Sequence, residues 1–285
     1  MNLQLQLRRF GVSALRIIPL SFADSIATLL GFLFYCILKQ RRRYIEHNLR
    51  HIFFDKPVEP KQFNRYVRNT FVNYGRHMVD FLRLGFMSGE DFSVEMIGIE
   101  NAFEALKLNR GCALLTLHLG NWDYAGAYLA TRGLPISALV EDIDPAMLDL
   151  YTEHRERTGM KTFPVSRSAF AFVNTIRSNR IMAILGDRDV VGNGIPVPFF
   201  SGVRKVPRGL GEIIIKKQLP VVFGYMVFHP LRKRRYLGLI EPPVFFAGGV
   251  EEFNRHIVRK FEEFIRLYPD QWIVFHPEWV DEMRA

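Results

Sequence analysis

The sequence predicts an α/β fold: a mixed, largely parallel central sheet flanked by helices, with a helical N-terminal extension. Three observations carry this. From Val94 onward, short apolar runs alternate with helical patterns, the rhythm of strand–helix units in a sheet covered on both faces. Between Gln40 and Phe92 the apolar residues recur at helical spacing. Ahead of both lies Pro19–Leu38, a mostly apolar stretch whose single formal charge is Asp24.

That N-terminal stretch is close to bilayer length, and basic residues bracket it: Arg8, Arg9 and Arg16 before, Lys39, Arg41, Arg42 and Arg43 after. No small-residue cleavage site marks it as a signal peptide. The heavier basic cluster follows the segment, which by the positive-inside tendency keeps the rest of the chain in the cytoplasm. Its apolar core, Ile26–Leu38, also suits a helix lying among lipid headgroups, or one buried for purely structural reasons. Residues 1–43 therefore read as a membrane-associating segment. With no linker, repeat or low-complexity tract beyond it, residues 44–285 read as a single domain.

Two helices are expected before Phe92, separated by the two prolines of Asp55–Pro60. Helix Ala102–Leu108, strand Cys112–Leu117, helix Trp122–Thr131 and strand Ile136–Val140 follow. Helix Pro145–Arg157, strand Thr162–Val165, helix Ala169–Ser178 and strand Arg180–Leu185 repeat the alternation. After an irregular segment, Gly186–Val206, come helix Pro207–Lys217, strand Val221–Val227, strand Tyr236–Ile240 and helix Val250–Leu267.

A net charge of +9 points to an anionic partner, and 25 phenylalanines favour lipid over nucleic acid. Cys36 and Cys112 both sit in apolar runs, with no disulfide framework or CxxC metal site, as in a reducing compartment. The other histidines show no metal-ligand spacing.

Chemistry concentrates in two places. The run Leu114–Leu117 ends on His118, and Asp123 follows at the start of the next helix. Active groups of open α/β sheets lie at the carboxyl ends of strands. A carboxylate in the first helical turn is favoured by the helix dipole. If the turn folds back, Asp123 accepts a proton bond from one ring nitrogen of His118 while the other serves as a base toward a substrate hydroxyl. With eight histidines and 29 acids, about one such spacing arises by chance, so its placement carries the argument. The bland alternative is a core histidine beside a helix cap.

The second place is the segment after Leu185. Gly186-Asp187-Arg188-Asp189 follows a buried strand as His118 does, and so lies on the same sheet edge. Arg188, Arg204, Lys205 and Arg208 cluster among glycines, a composition that cradles phosphate, or else a solvated connection with a Phe199-Phe200 plug. The backbone amides at the Asn121–Asp123 helix start, or Arg188, are candidates to hold an oxyanion. Trp122, Tyr124, Phe199 and Phe200 suit an apolar tunnel. Arg155 in EHRERTG either reaches substrate or ends an exposed helix. No GxSxG elbow is present, which argues against a serine hydrolase.

Read together, His118-Leu119-Gly120-Asn121-Trp122-Asp123, Leu185-Gly186-Asp187-Arg188-Asp189, Pro198-Phe199-Phe200 with Pro207-Arg208-Gly209, and Leu219-Pro220-Val221-Val222 resemble the lipid A biosynthesis acyltransferase family. That family includes lauroyl and myristoyl transferases and phosphatidylinositol mannoside acyltransferases. The resemblance runs over roughly Arg41–Trp272 and implies a glycerolipid acyltransferase-like sheet. It implies transfer of a fatty acyl group from acyl carrier protein or coenzyme A to a glycolipid hydroxyl, such as a lipid A precursor, at the cytoplasmic face of a bacterial inner membrane. His118 would then be the general base and Asp123 its partner, with Arg188 and the following loop binding donor or acceptor and no further cofactor. One departure is visible: some relatives carry a glutamate after the phenylalanine pair, where this chain has Ser201-Gly202. Two rivals are a lysophospholipid acyltransferase using the same chemistry and a non-catalytic membrane-binding protein.

Overall fold

A computed structural model of the chain describes residues 15–141, 152–276 and 278–280. Among the described residues, 15–17 are helical and are followed by α1 (Leu20–Ile37), α2 (Lys39–Ile52) and α3 (Pro60–Leu84), the last started by proline at a position where its missing N–H costs nothing. Next come β1 (Val94–Ile97), α4 (Ile99–Leu106), β2 (Cys112–Thr116), α5 (Trp122–Thr131), β3 (Ile136–Val140), β4 (Lys161–Pro164), α6 (Ser168–Arg177) and β5 (Ile181–Leu185). A hairpin of β6 (Ile195–Phe199) and β7 (Gly202–Val206) precedes α7 (Leu210–Lys217), β8 (Val221–Phe228), β9 (Tyr236–Ile240) and α8 (Val250–Leu267).

Seven strands form one sheet in the order β1-β9-β8-β2-β5-β3-β4. Every neighbouring pair is parallel except β8–β9, so the expected mixed, largely parallel sheet is present. Its faces are both covered. Along β2, Ala113 and Leu115 join a core with α2, α6, α7 and α8, while Cys112 and Leu114 join a second core with α4, α5 and the end of α3. The period of two sorts alternate side chains to opposite layers, which is why this strand reads as an unbroken apolar run. Helix α8 supplies Phe253, Ile257, Phe261, Phe264 and Ile265 to the first core, with Glu251 and Glu252 in its first turn and Arg266 in its last, as the helix dipole favours.

Three differences from the sequence reading have local causes. Strand β1 is only four residues, too short for its alternation to register. Gly186–Val206 is not wholly irregular, because β6 and β7 pair within it. Pro196 and Pro198 hide β6: proline cannot donate to a ladder, yet an isolated two-stranded hairpin leaves one side of each strand unpaired. Helix α7 begins at Leu210, since Gly209 at φ 81° turns the chain into it. The expected helix Pro145–Arg157 falls largely outside the described residues, of which 152–156 are helical; Arg8 and Arg9 also lie outside them.

Helix α1 lies against α3 through small residues on both sides. A side chain at Gly31 would meet the Val72 and Phe71 backbone, and one at Gly75 would meet the Ala27 carbonyl. Its opposite face exposes Phe22, Leu29, Phe32 and Leu33, an apolar surface that no side chain of the described residues covers.

Candidate active site

The sheet register builds the centre of the site. β2 and β5 pair with Thr116 opposite Leu185; continued two residues past the strand ends, that register sets His118 beside Asp187. The His118 Nδ1 atom lies 2.8 Å from Asp187 Oδ1, and the His118 amide lies 3.2 Å from both carboxylate oxygens. Trp272 donates its Nε1–H to the other oxygen at 2.9 Å. An ionised carboxylate only accepts, so Nδ1 donates to it, and in the neutral ring the lone pair is then on Nε2; His118 itself borders a cavity. Burial alone would raise the Asp187 pKa. The imidazole, its hydrogen bond, the indole and the Arg204 guanidinium outweigh it and hold the carboxyl well below the usual range.

The turn carrying His118 is held by four hydrogen bonds to three other segments. Ile273 donates to the His118 carbonyl at 2.7 Å, Gly120 donates to the Gln271 carbonyl at 2.8 Å, and Asn121 donates to the Met226 carbonyl at 2.7 Å. His77 Nδ1 donates to the Gly120 carbonyl at 3.0 Å. Gly120 has φ 67°, and any Cβ there would strike the Met226 carbonyl. Asn121 then caps α5, accepting from the Tyr124 amide at 2.9 Å.

Asp123 does not hydrogen-bond His118, contrary to the pairing expected from sequence. Arg155 Nε holds its Oδ1 at 2.8 Å, and His77 Nε2 faces its Oδ2 at 3.6 Å. Burial pushes this carboxyl up, but Arg155 and His77 prevail and bring it down to about 2. The α5 helix directs Asp123 toward α3, with the Trp122 ring between the two imidazoles, 4.4 Å from His77 and 4.9 Å from His118. Asp187 supplies the partner carboxylate instead.

A cavity of about 570 Å³ opens in front of His118. Trp122, Asp123, Arg155, Arg188 and Arg208 border it, together with residues the sequence reading had not assigned there: Phe34 and Leu38 of the α1 end, Arg41, and Tyr74, His77 and Phe81 of α3. The apolar stripe of α3 was legible as a helical face, but not which way it points. Arg188 is held by Glu278 at 2.7 Å and Glu141 at 3.2 Å; Arg208 Nε donates to the Asn193 carbonyl at 2.9 Å. Arg41 donates to the Phe275 carbonyl at 2.7 Å and lies 3.2 Å from His276 Nδ1. Burial, Arg41 and Arg188 lower the His276 pKa, which favours its neutral, accepting form. A smaller cavity of about 80 Å³ lies between α5 and the sheet, sharing Trp122, Asp123 and Arg155 with the first and continuing past Gly126, Leu129, Met160 and Gly224.

Six residues expected to contact substrate do not line the larger cavity, Asp187 among them because it is turned onto His118. Asn121 is fully buried. Phe199 packs on Trp272 and Trp279, and Phe200 donates its amide to Glu262. Lys205 does not border the cavity. Arg204 is 2% exposed, with its guanidinium among the rings of Trp272, Trp279 and Phe199 at 4.7, 5.3 and 5.6 Å. Burial draws its pKa down to about 10, against the pull of Asp187 and Glu278, so it stays charged at neutral pH. Asn121 supports the site as the cap of α5, and Phe199, Phe200, Arg204 and Lys205 belong to a hairpin whose Phe199 and Arg204 pack on Trp272 rather than in front of His118.

A sequence model of the family described as bacterial lipid A biosynthesis acyltransferase matches residues 5–281. Among curated proteins, the chain is similar to the phosphatidylinositol mannoside acyltransferase of Mycolicibacterium smegmatis, 27% identical over 234 residues, covering 77% of this chain and 75% of that protein. It is also similar to the protein of that name in Mycobacterium tuberculosis, 24% identical over 222 residues, covering 74% and 69% of the two chains.

Proposed function

Because this chain belongs to the bacterial lipid A biosynthesis acyltransferase family, and is therefore an acyltransferase, we propose that it moves a fatty acyl group from an acyl carrier protein or coenzyme A thioester to a hydroxyl of a membrane glycolipid. His118 is the general base and Asp187 its partner. The observation that carries this reading is the 2.8 Å contact from Asp187 to His118 Nδ1, beneath a large cavity that His118 borders.

The chemistry needs no covalent enzyme intermediate, since a thioester is already activated. Nε2 of His118 takes the proton of the acceptor hydroxyl as its oxygen attacks the thioester carbonyl. Asp187 stabilises the imidazolium that forms. The carbonyl oxygen gains negative charge, and the first amides of α5, at Trp122 and Asp123, directly after this turn, are the donors we assign to it. Collapse of the tetrahedral intermediate breaks the C–S bond, and the imidazolium proton passes to the departing thiolate. An ester and a free thiol result.

The lining supports a lipid substrate pair. The Phe34, Phe71, Tyr74 and Phe81 side of the cavity is apolar, whereas Arg41, Arg188 and Arg208 offer cations to the phosphates of donor or acceptor. The narrow extension past Gly126 and Met160 suits the acyl chain. The exposed apolar face of α1 and the basic residues after it suit the cytoplasmic face of a bacterial inner membrane, with residues 1–43 attached there and 44–285 forming the acyl-transfer domain.

The test presents palmitoyl-coenzyme A and total membrane glycolipids of the producing cells to the purified chain, with mass spectrometry of the lipid products. The expected result is an acylated glycolipid that His118→Ala does not produce. Acylation of lysophosphatidate with no glycolipid product would overturn the acceptor class.

A further inference from the structure

Asp24 is the only charge in α1, and it does not face outward. Arg235 grips it with two hydrogen bonds of 2.8 Å, and Arg76 lies 3.6 Å away. The same Arg235 donates its Nε–H to Asp80 at 2.7 Å, and Asp80 is 2% exposed on α3. Asp80 also accepts the Tyr236 hydroxyl proton. Tyr236, fully buried, accepts from the Asn121 side chain at 2.9 Å. Asn121 is the residue that caps α5 and ties the His118 turn to the Met226 carbonyl. An unbroken polar path therefore runs from the apolar N-terminal helix through α3 and β9 to the turn holding the proposed base.

Stability alone is a poor reason for this path. Buried ion pairs roughly break even against apolar replacements once desolvation is counted, so an Asp in an apolar helix and a buried Arg–Asp–Tyr chain imply a requirement for geometry. Arg83 holds the stretch just ahead of α1, donating to the carbonyls of Leu15 and Ile18 at 2.7 and 2.9 Å. The end of the helix forms part of the cavity wall through Phe34 and Leu38. Helix α1 is thus joined to the site at two points, by its wall residues and by Asp24.

We propose that Asp24, Arg235, Asp80 and Tyr236 are positioning residues through which seating of α1 sets the His118 turn, so that the helix activates the enzyme as well as attaching it to lipid. The proposal rests on the reading of His118 as the base. A mere anchor would gain by losing Asp24, since a charge disfavours insertion among apolar groups. The relay requires the opposite effect on turnover, and the two outcomes separate in one experiment.

The full-length chain is assayed on phosphatidylethanolamine–phosphatidylglycerol vesicles carrying total glycolipids of the producing cells, with palmitoyl-coenzyme A as donor. Vesicle co-sedimentation and thermal unfolding are recorded alongside. Asp24→Leu is expected to sediment with vesicles at least as fully as the parent while kcat falls by about tenfold or more and KM for palmitoyl-coenzyme A moves less than about twofold. Asp24→Glu should recover part of kcat. Tyr236→Phe removes one hydroxyl from the path and keeps the ring packing; it is expected to lose kcat by about fivefold or more, and it decides the matter if Asp24→Leu fails to fold. Parent-level kcat in a folded, vesicle-bound Asp24→Leu, or in Tyr236→Phe, overturns the relay. Parent-level turnover in His118→Ala overturns the base on which it rests, whereas loss in His118→Ala with parent turnover in the other two variants overturns the relay alone.

Discussion

Replacing Asp123 by asparagine separates two roles that the spacing of His118 and Asp123 conflates. In the structure Asp123 is a buried counter-ion of Arg155 at 2.8 Å, not a partner of His118. Its folded pKa of about 2 lies below the model-compound value of 3.8, so the ionised carboxylate stabilises the fold. A difference of that size is worth about 2 kcal/mol. The sign follows from the depression. The contribution is complete above about pH 4, the unfolded titration, and is lost as pH falls toward the folded value of about 2. Urea unfolding in detergent, followed by tryptophan fluorescence, should therefore show Asp123→Asn less stable than the parent by about 2 kcal/mol at pH 7 and pH 5 alike, with the gap closing below about pH 4. Turnover should fall less than in Asp187→Asn. Equal stability of variant and parent at pH 7, or a gap that persists undiminished near pH 2, would refute the ion-pair account. Full stability with turnover as low as that of Asp187→Asn would place Asp123 on His118 after all.

Two further outcomes follow from packing. A side chain at Gly126 would meet the Met160 thioether, which together with Leu129 narrows the smaller cavity; Gly126→Leu should shift product esters to shorter chains, and Met160→Ala to longer ones. Each methylene gained or lost should change donor preference by about fourfold, the equivalent of about 0.8 kcal/mol, read from product chain lengths in a mixed-thioester competition. Arg204→Met should unfold within about 2 kcal/mol of the parent, because an apolar chain fills the pocket of three rings and Glu278 keeps Arg188 at 2.7 Å. Arg204→Ala leaves that pocket empty and should cost about 3–5 kcal/mol in the same urea series.

Much of this arrangement is legible in the order of residues. Strands β2 and β5 are almost wholly apolar because both sheet faces are covered, and two residues past their paired ends, Thr116 and Leu185, stand the polar His118 and Asp187 at the same sheet edge. That edge brings His118 and the Gly186-Asp187-Arg188 segment together. The choice between two carboxylates was not legible, because it depends on which direction α5 aims Asp123, and Arg155 and His77 reach it from distant segments. Parallel pairing of β2 with β5 would have favoured Asp187, since continuing the register from Thr116 and Leu185 joins the two residues. The role of Asp24 was equally hidden: in sequence it is a lone charge in an apolar stretch, and its partners, Arg235 and Arg76, belong to segments far along the chain. Arg235 closes a basic run, Arg232–Arg235, yet it turns inward onto Asp24 and Asp80.

The central claim is that Asp187 acts through His118. A double-mutant cycle on palmitoyl transfer tests it most directly, with single-turnover rates for His118→Ala, Asp187→Asn and the pair. Asn at 187 cannot accept from both the His118 ring and the Trp272 indole without setting its own N–H against one of them. The single change should slow transfer by about 10²- to 10⁴-fold. The double variant should be no slower than His118→Ala, within about threefold, because the carboxylate has nothing left to orient. Independent, multiplicative losses, or parent-level transfer by Asp187→Asn, would contradict the account.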